Sequence, residues 1–513
     1  MTELNIALVH LDVKHGRPDE NLAEILRLCR QAADQGAKIV AGPEMSLSGY
    51  SFASREEIAP FVQSADGPAG AALAELARER HIYIVAAWAE SDPLTGIFYN
   101  SAFVFGPDGT LVKRYRKVNG ESRWACPGPA VQDNVFDTPW GRMGLLICAD
   151  SYHSLMPRVT ALKGADLIFV PATWPSLGLS TSRMWRMRAL ENGCFLVAVN
   201  RTGQDQNMDC RSARSYLATP GGEIWLDQQS DETALMMVKL PLDDQGRLAG
   251  LRRSEIMSSR RPSSYYRVLG NFSGINDLTG FLKLPPPGLL DIHCLVPESG
   301  QNPLDCFQKH TRLISPGSLV LLPQHQYSDQ DLESLRRLAL SAGVAVVATR
   351  RADGPTCFWK GTEERQWQLP DESGLHEGFP RVDWGPARIM IAPLQDLWHP
   401  ELALSAAKWG CDLAVCSEHS LSEDQIDLVA LRPIEQIALA ACAKNGAAIG
   451  LIPQGHQAPR GARAAQGDRC SYDLDTHETR HKRFQDRIDF ETLFARSDGV
   501  LTRNAFIPAS IEK

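Results

Sequence analysis

The sequence predicts a mixed α/β chain built as two tandem domains. Two observations carry this. Short, near-continuously apolar strands alternate with amphipathic helices, the pattern of sheets covered by helices. A run of phrases in the first half then recurs, in order, in the second. The 513 residues fit two large domains. Apolar residues make 43% and charged residues 22%, which excludes disordered, collagen-like and disulfide-dense classes. The net charge of −8 leaves no basic excess for nucleic acid. No run reaches the ~18 apolar residues of a membrane helix, and the opening MTELNIALVHLDV has no signal-peptide pattern. Twelve cysteines with no CxxC pair fit a reduced, cytoplasmic compartment. The histidines show no paired spacing such as HExxH, so neither a metal nor an organic cofactor is expected.

In order, Asn5–His10 reads as a strand, Leu22–Gln35 as a helix ending at Gly36, and Lys38–Val40 as a strand running into Gly42-Pro43-Glu44. Leu73–Arg80 is a helix and Ile82–Ala87 a strand. Ser101–Phe105 and Leu111–Tyr115 flank Gly106-Pro107-Asp108-Gly109, a hairpin signal. Gly144–Cys148 is a buried strand with a helix expected after it. Leu167–Val170 and Phe195–Val199 are strands, with the helix Ser182–Asn192 between them. The stretch 271–290, rich in Gly, Asn, Ser and Pro, reads as a linker between a domain 1–270 and a domain 291–513.

The repeat matches the strand before Glu44 to the one before Gln324. It matches the strand Gly144–Cys148 to Arg388–Ala392, Gly164-Ala165-Asp166 to Gly410-Cys411-Asp412, and Asn192-Gly193 to Asn445-Gly446. On this alignment Gln324 stands where Glu44 stands, Ala392 where Cys148 stands, and Leu369 near the place of Lys117. The second domain is expected to keep the fold without the chemistry.

That chemistry sits at strand ends of the first half. A cysteine opening a helix, Cys148, can be activated as a thiolate by a nearby cation and the helix N-terminus. A carboxylate, Glu44, can take a thiol proton and hand it to a leaving amine. An ammonium, Lys117, can stabilise the oxyanion of a tetrahedral intermediate. These are the parts of thiol-based acyl transfer.

Three motifs make the first half resemble the nitrilase superfamily of carbon–nitrogen hydrolases over roughly residues 4–240. They are Gly42-Pro43-Glu44 with Gly49-Tyr50, then Tyr115-Arg116-Lys117-Val118-Asn119, then Gly144-Leu145-Leu146-Ile147-Cys148-Ala149-Asp150. Arg188-Ala189-Leu190-Glu191-Asn192 and Val199-Asn200-Arg201 add to the likeness. The resemblance implies a Glu-Lys-Cys triad and two tandem α-β-β-α sandwich domains, an intact copy and a degenerate one. It implies a second glutamate after the lysine, for which Glu121 is the nearest candidate, and an oxyanion donor in the N–H of Ala149. Tyr50, Thr173, Trp174, His153 and Arg158 are expected around the substrate. Where many amidase-type members carry arginine and glutamate after the cysteine motif, this chain has Tyr152 and Leu155.

The implied activity is hydrolysis of a non-peptide carbon–nitrogen bond in a small amide through a cysteine thioester. N-carbamoyl hydrolysis is the runner-up. Nitrile hydrolysis, glutaminase-like ammonia supply, acyl transfer to an amine and a non-catalytic scaffold stay open. The implied partner is a small amide or carbamoyl substrate, without nucleic acid or membrane. Because such domains pair across a helical face, the two copies are expected to form a pseudo-dimer within one chain, with higher oligomers open.

Overall fold

The computed structural model describes residues 3–493 apart from 177, 271–276, 351–355, 361–362, 368–378, 455–456, 485–486 and 490–491. The chain divides into two compact units. Unit 1 runs from the start to Ser259, and the C-terminal segment around Asp489 returns to it, with Asp489 2.8 Å from the Lys163 ammonium. Unit 2 begins at Arg260, ahead of the expected boundary at 270. Of the expected linker, 271–276 lies outside the described residues, and Leu278–Phe281 is a short helix of unit 2.

In unit 1 the elements are β1 (Glu3–His10), α1 (Pro18–Asp34), β2 (Ile39–Ala41), α2 (Arg55–Ile58), α3 (Pro68–Arg80), β3 (Tyr83–Ser91), β4 (Phe98–Phe105) and β5 (Leu111–Arg116). After them come β6 (Val135–Thr138), β7 (Gly141–Leu145), α4 (Leu155–Leu162), β8 (Leu167–Pro171), α5 (Thr181–Asn192), β9 (Phe195–Val199), β10 (Arg214–Ala218), β11 (Ile224–Gln229) and β12 (Ala234–Pro241). They make two six-stranded sheets, in the orders β12-β1-β2-β3-β4-β5 and β11-β10-β9-β8-β7-β6. The middle three strands of each sheet run parallel and the outer pairings are antiparallel.

Helix α1 forms because Pro18 presets its first turn, Asp19 and Glu20 favour its positive end, and Ile25, Leu28, Cys29 and Ala32 fall on one face. That face packs with Leu73, Leu76 and Ala77 of α3 onto Ala7, Val9, Val40, Ile84, Trp88 and Phe103 of the first sheet. Each such Leu or Ile contributes about 1.5–3 kcal/mol of burial. The alternate residues Ile6, Leu8, Ile39 and Ala41 are equally buried and point the other way, as a two-residue period requires. This is why the strands read as unbroken apolar runs. Helices α4 and α5 cover the second sheet. The sequence places a helix directly after Cys148. The structure has a 3-10 turn over Cys148–Ser151, and α4 starts only at Leu155.

Unit 2 repeats the topology strand for strand. Its strands are β13 (Leu289–Leu295), β14 (Leu319–Leu321), β15 (Ala345–Thr349), β16 (Thr356–Lys360), β17 (Glu363–Trp367), β18 (Arg381–Trp384), β19 (Ala387–Ile391), β20 (Leu413–Ser417), β21 (Ala438–Ala443), β22 (Gly446–Leu451), β23 (Arg460–Ala465) and β24 (Arg469–Asp475). The sheets run β24-β13-β14-β15-β16-β17 and β18-β19-β20-β21-β22-β23, with the same parallel and antiparallel neighbours as in unit 1. Side chains of both sheets, among them Ile292, Leu321, Val347, Ile389, Val415 and Ala440, share one core. Each unit is thus an α/β sandwich of two sheets with helices outside.

The structure corrects one matched phrase. The strand in the place of β9 is β21, and Asn445-Gly446 lies at the tight turn joining β21 to β22. In unit 1, Gly193 ends α5 in the left-handed region at φ 64°. Asn-Gly serves a helix end and a hairpin equally well, so the dipeptide alone could not tell them apart.

Candidate active site

Segments that follow β2, β5, β7 and β8 bring Glu44, Lys117, Cys148 and Thr173 together. After β2, Gly42 donates its N–H to the Val85 carbonyl at 2.9 Å, and Pro43 turns the chain so that Glu44 points inward, fully buried. Its Oε1 accepts from the Lys117 ammonium at 2.6 Å and from Asn100 Nδ2 at 2.7 Å. Its Oε2 accepts the Thr173 N–H at 2.9 Å, while the Thr173 hydroxyl donates to the Glu44 carbonyl at 3.0 Å. Three N–H donors on one carboxyl suit its acceptor-only, ionised form.

Lys117 follows β5. Its N–H donates to the Asn100 carbonyl at 2.8 Å, and its carbonyl accepts from Gly128 at 2.8 Å, which holds the loop start rigid. Burial would lower the Lys117 ammonium. Glu44 first, then Tyr50, Cys148 and Asp150, overcome this and hold it well above the ordinary lysine value.

Cys148 begins the 3-10 turn after β7 in the left-handed region, at φ 44°. Its thiol donates to the Thr173 carbonyl at 3.7 Å. Burial, then the Glu44 charge, push the thiol well above its ordinary value, against the pull of Lys117. The turn after β7 has only four residues and so little dipole, and the nearby cation is paired with Glu44. The Cys148 carbonyl accepts the Ser151 hydroxyl at 2.7 Å, and Ser151 accepts the Trp185 indole N–H at 3.0 Å. Arg188 fastens the same turn by donating to the Ser151 carbonyl at 3.0 Å and the Tyr152 carbonyl at 2.5 Å.

The other expected residues divide. Tyr50 lies at the cluster, its ring centroid 5.8 Å from the Lys117 ammonium. Against the pull of Lys117, burial and the charges of Glu44, Cys148 and Glu121 raise its hydroxyl. Thr173 bridges Glu44 and Cys148 as described. Trp174 follows it, buried, stacked on Tyr152 at 6.2 Å and edge-on to Trp185 at 6.2 Å. His153 meets the Tyr152 ring edge at 5.0 Å. Ala149, next to Cys148, has a backbone N–H with no hydrogen bond to another described residue. Glu121 is held by Arg123 at 2.9 Å; that bond first, with Lys117 further off, lowers its carboxyl below the usual range. It makes no hydrogen bond to Glu44, Lys117 or Cys148.

Arg158 is not at the site. It is fully buried, donating to Asn192 Oδ1 at 2.8 Å and the Glu191 carbonyl at 2.7 Å. A guanidinium spent on the end of α5 cannot take a substrate carboxylate, which corrects its expected substrate-binding role. Asn100 and the carboxylate of Asp150 belong to the cluster and were not singled out from sequence. A strand asparagine has no local signature, and Asp150 was visible only as a motif letter. Among the described residues no group of three or more His, Cys, Asp or Glu could hold a metal ion.

Strand registers locate the same positions in unit 2. Ile39 pairs with Ile6 as Leu319 pairs with Ile292, so Gln324 takes the place of Glu44. Met143 pairs with Leu167 as Ile389 pairs with Leu413. That puts Ala392 opposite Leu146 and makes Leu394 the counterpart of Cys148, two residues on from the sequence match. The Leu394 N–H donates to Glu418 at 2.7 Å, so a carboxylate occupies the backbone donor there. Leu369, expected near the lysine position, lies outside the described residues; Trp367, two before it, pairs in register as Tyr115 does.

The sequence matches the model of the carbon–nitrogen hydrolase family over residues 5–249. It is 32% identical over 270 residues to a nitrilase of Pyrococcus abyssi (strain GE5 / Orsay), spanning 52% of this chain and 100% of that protein. It is 29% identical over 285 residues to omega-amidase NIT2 of Homo sapiens, spanning 52% of this chain and 98% of that one. Among solved structures, an amidase from Nesterenkonia sp. is 28% identical, with a TM-score of 0.42 over 47% of this chain and 92% of that chain. With a relative matched along its entire length, this chain belongs to the carbon–nitrogen hydrolase family, the nitrilase superfamily that its motifs resemble.

Proposed function

We propose that unit 1 hydrolyses the carbon–nitrogen bond of a small amide through a thioester on Cys148. Glu44 takes the thiol proton as sulfur attacks the carbonyl carbon, and the carbonyl π pair moves to oxygen. Lys117 and the Ala149 N–H receive that oxyanion. The C–N bond then breaks, and Glu44 returns the proton to departing ammonia or amine. Water, deprotonated by Glu44, attacks the thioester; the C–S bond breaks and sulfur regains a proton.

One observation carries the reading: Thr173 receives the thiol on its carbonyl while donating its N–H to the Glu44 carboxylate, so base and nucleophile share one backbone unit. The high thiol requires such a base at neutral pH. Ala149-Asp150 after the nucleophile favours amides over nitriles, for which tryptophan and glutamate would be expected. The omega-amidase relative points the same way.

The test is ammonia release from a panel of small amides, ureides and nitriles, with intact-mass detection of an acyl adduct. Release from amides, abolished in Cys148→Ala, supports the proposal. Turnover that survives in Cys148→Ala overturns it. Unit 2, with Gln324 and Leu394 in the key places, is proposed to serve in place of a second subunit. A monomeric mass by light scattering supports this, and a stable dimer of chains refutes it.

A further inference from the structure

The nucleophile turn and the lysine loop meet at a group the reaction itself does not touch. Asp150, two residues after Cys148, is fully buried. Its Oδ2 accepts the Tyr115 hydroxyl at 2.8 Å. Its Oδ1 accepts the Asn119 N–H at 2.8 Å and Asn119 Nδ2 at 3.0 Å. Tyr115 and Asn119 stand two residues before and two after Lys117. One carboxylate thus ties the loop that aims the ammonium to the turn that aims the sulfur.

The position also has an electrostatic consequence. Lys117 faces Glu44 from the β2 loop, Tyr50 beyond it, and Cys148 and Asp150 from the 3-10 turn; Glu121 acts on it from the following loop. When the S–H bond breaks and the proton bonds to Glu44, the Lys117 partner at 2.6 Å loses its charge. Glu121 is already paired with Arg123 and partly exposed to water. The charge passes to sulfur and then to the carbonyl oxygen, while the Asp150 carboxyl, raised by burial and drawn back down by Lys117 and its three donors, takes no part in the transfer.

We propose that Asp150 is a positioning residue and a standing counter-charge of Lys117: it ties the lysine loop to the Cys148 turn and stays fixed while the other negative charge moves from Glu44 to sulfur and oxygen. The inference rests on the acyl-transfer reading above and goes beyond it. Without this charge the buried ammonium would face one anion instead of two and would lose its proton at a lower pH.

Asp150→Asn separates the charge from the tie. Its oxygen keeps the Asn119 bonds, and its amide N–H can donate to the Tyr115 hydroxyl. Tyr115→Phe does the reverse, removing one bond and leaving the charge. The readout is the pH profile of kcat/KM for amide hydrolysis. In Asp150→Asn the basic limb moves about one pH unit or more lower; in Tyr115→Phe it stays at the wild-type pH while kcat falls. A limb that does not move in Asp150→Asn, or that moves equally in both variants, overturns the proposal. Should Asp150→Asn fail to fold by circular dichroism, Asp150→Ser removes the charge and is read by the same rule. Retained turnover in Cys148→Ala would sink the acyl-transfer reading instead, so the two failures are distinguishable.

Discussion

Glu44→Gln tests the site at its most strained point. The amide nitrogen must replace one carboxylate oxygen. At Oε1 it would face two donors, Lys117 and Asn100; at Oε2 it would face one, the Thr173 N–H. The second placement wins and leaves the Thr173 N–H unpaired, at about 1–3 kcal/mol. It also leaves the buried Lys117 without a counter-charge at its closest contact, and breaking a buried pair costs about 3–5 kcal/mol. Loss of the base lowers kcat by about 10²–10⁴. Urea unfolding of the full chain should therefore show a lower midpoint for unit 1 in Glu44→Gln. The double variant Glu44→Gln, Lys117→Met should recover part of the loss, because the ammonium no longer lies against a neutral amide, while Asp150 keeps its bonds from Tyr115 and Asn119. Ammonia release should be lost in both. The reasoning is refuted if Glu44→Gln keeps more than about a tenth of wild-type kcat, or if the double variant is less stable than the single.

Three more outcomes follow. Iodoacetamide should alkylate Cys148 slowly at neutral pH, with a rate still climbing beyond the ordinary thiol value of 9.0, because burial and Glu44 favour the protonated form; a plateau below that pH would contradict a neutral resting thiol. Arg158→Met should destabilise unit 1 by about 2–4 kcal/mol, through loss of the buried bonds to Asn192 and the Glu191 carbonyl, with KM for amides unchanged within about twofold; a large KM change in a folded variant would return Arg158 to the substrate. His10, buried against Ser215, has its pKa lowered by burial from 6.5 to about 4, so the unfolded chain binds the extra proton between those values. Stability should accordingly fall as pH drops through that window, by up to about 3 kcal/mol, and His10→Gln should flatten the slope measured by urea midpoints against pH.

Much of the cluster was readable because strands ending in reactive residues leave a local mark. Pro43-Glu44 after an apolar run, Lys117 after a hairpin strand and Cys148 after another were all visible in one dimension. The places where reading failed share a cause. Leu394 was missed because matching phrases cannot count residues between a strand and the turn beyond it; only the pairing of Ile389 with Leu413 sets that register. Asn445-Gly446 was misassigned because one dipeptide serves two backbone geometries. Arg158 looked like a substrate ligand because charge is visible in a sequence, whereas the partner that neutralises or holds it is not.

The sequence by itself determined the α/β class and which residue types stand at each strand end. Those follow from periodicity and residue type, which are local. Tertiary structure alone decided that burial and Glu44 raise the Cys148 thiol and that Thr173 bonds both Cys148 and Glu44. It also decided that Asn100 and Asp150 complete the polar cluster and that Arg158 is consumed by α5. Each of these depends on burial and on distances of a few ångströms between residues tens of positions apart, and those distances arise only when the fold brings together the segments that follow β2, β5, β7 and β8.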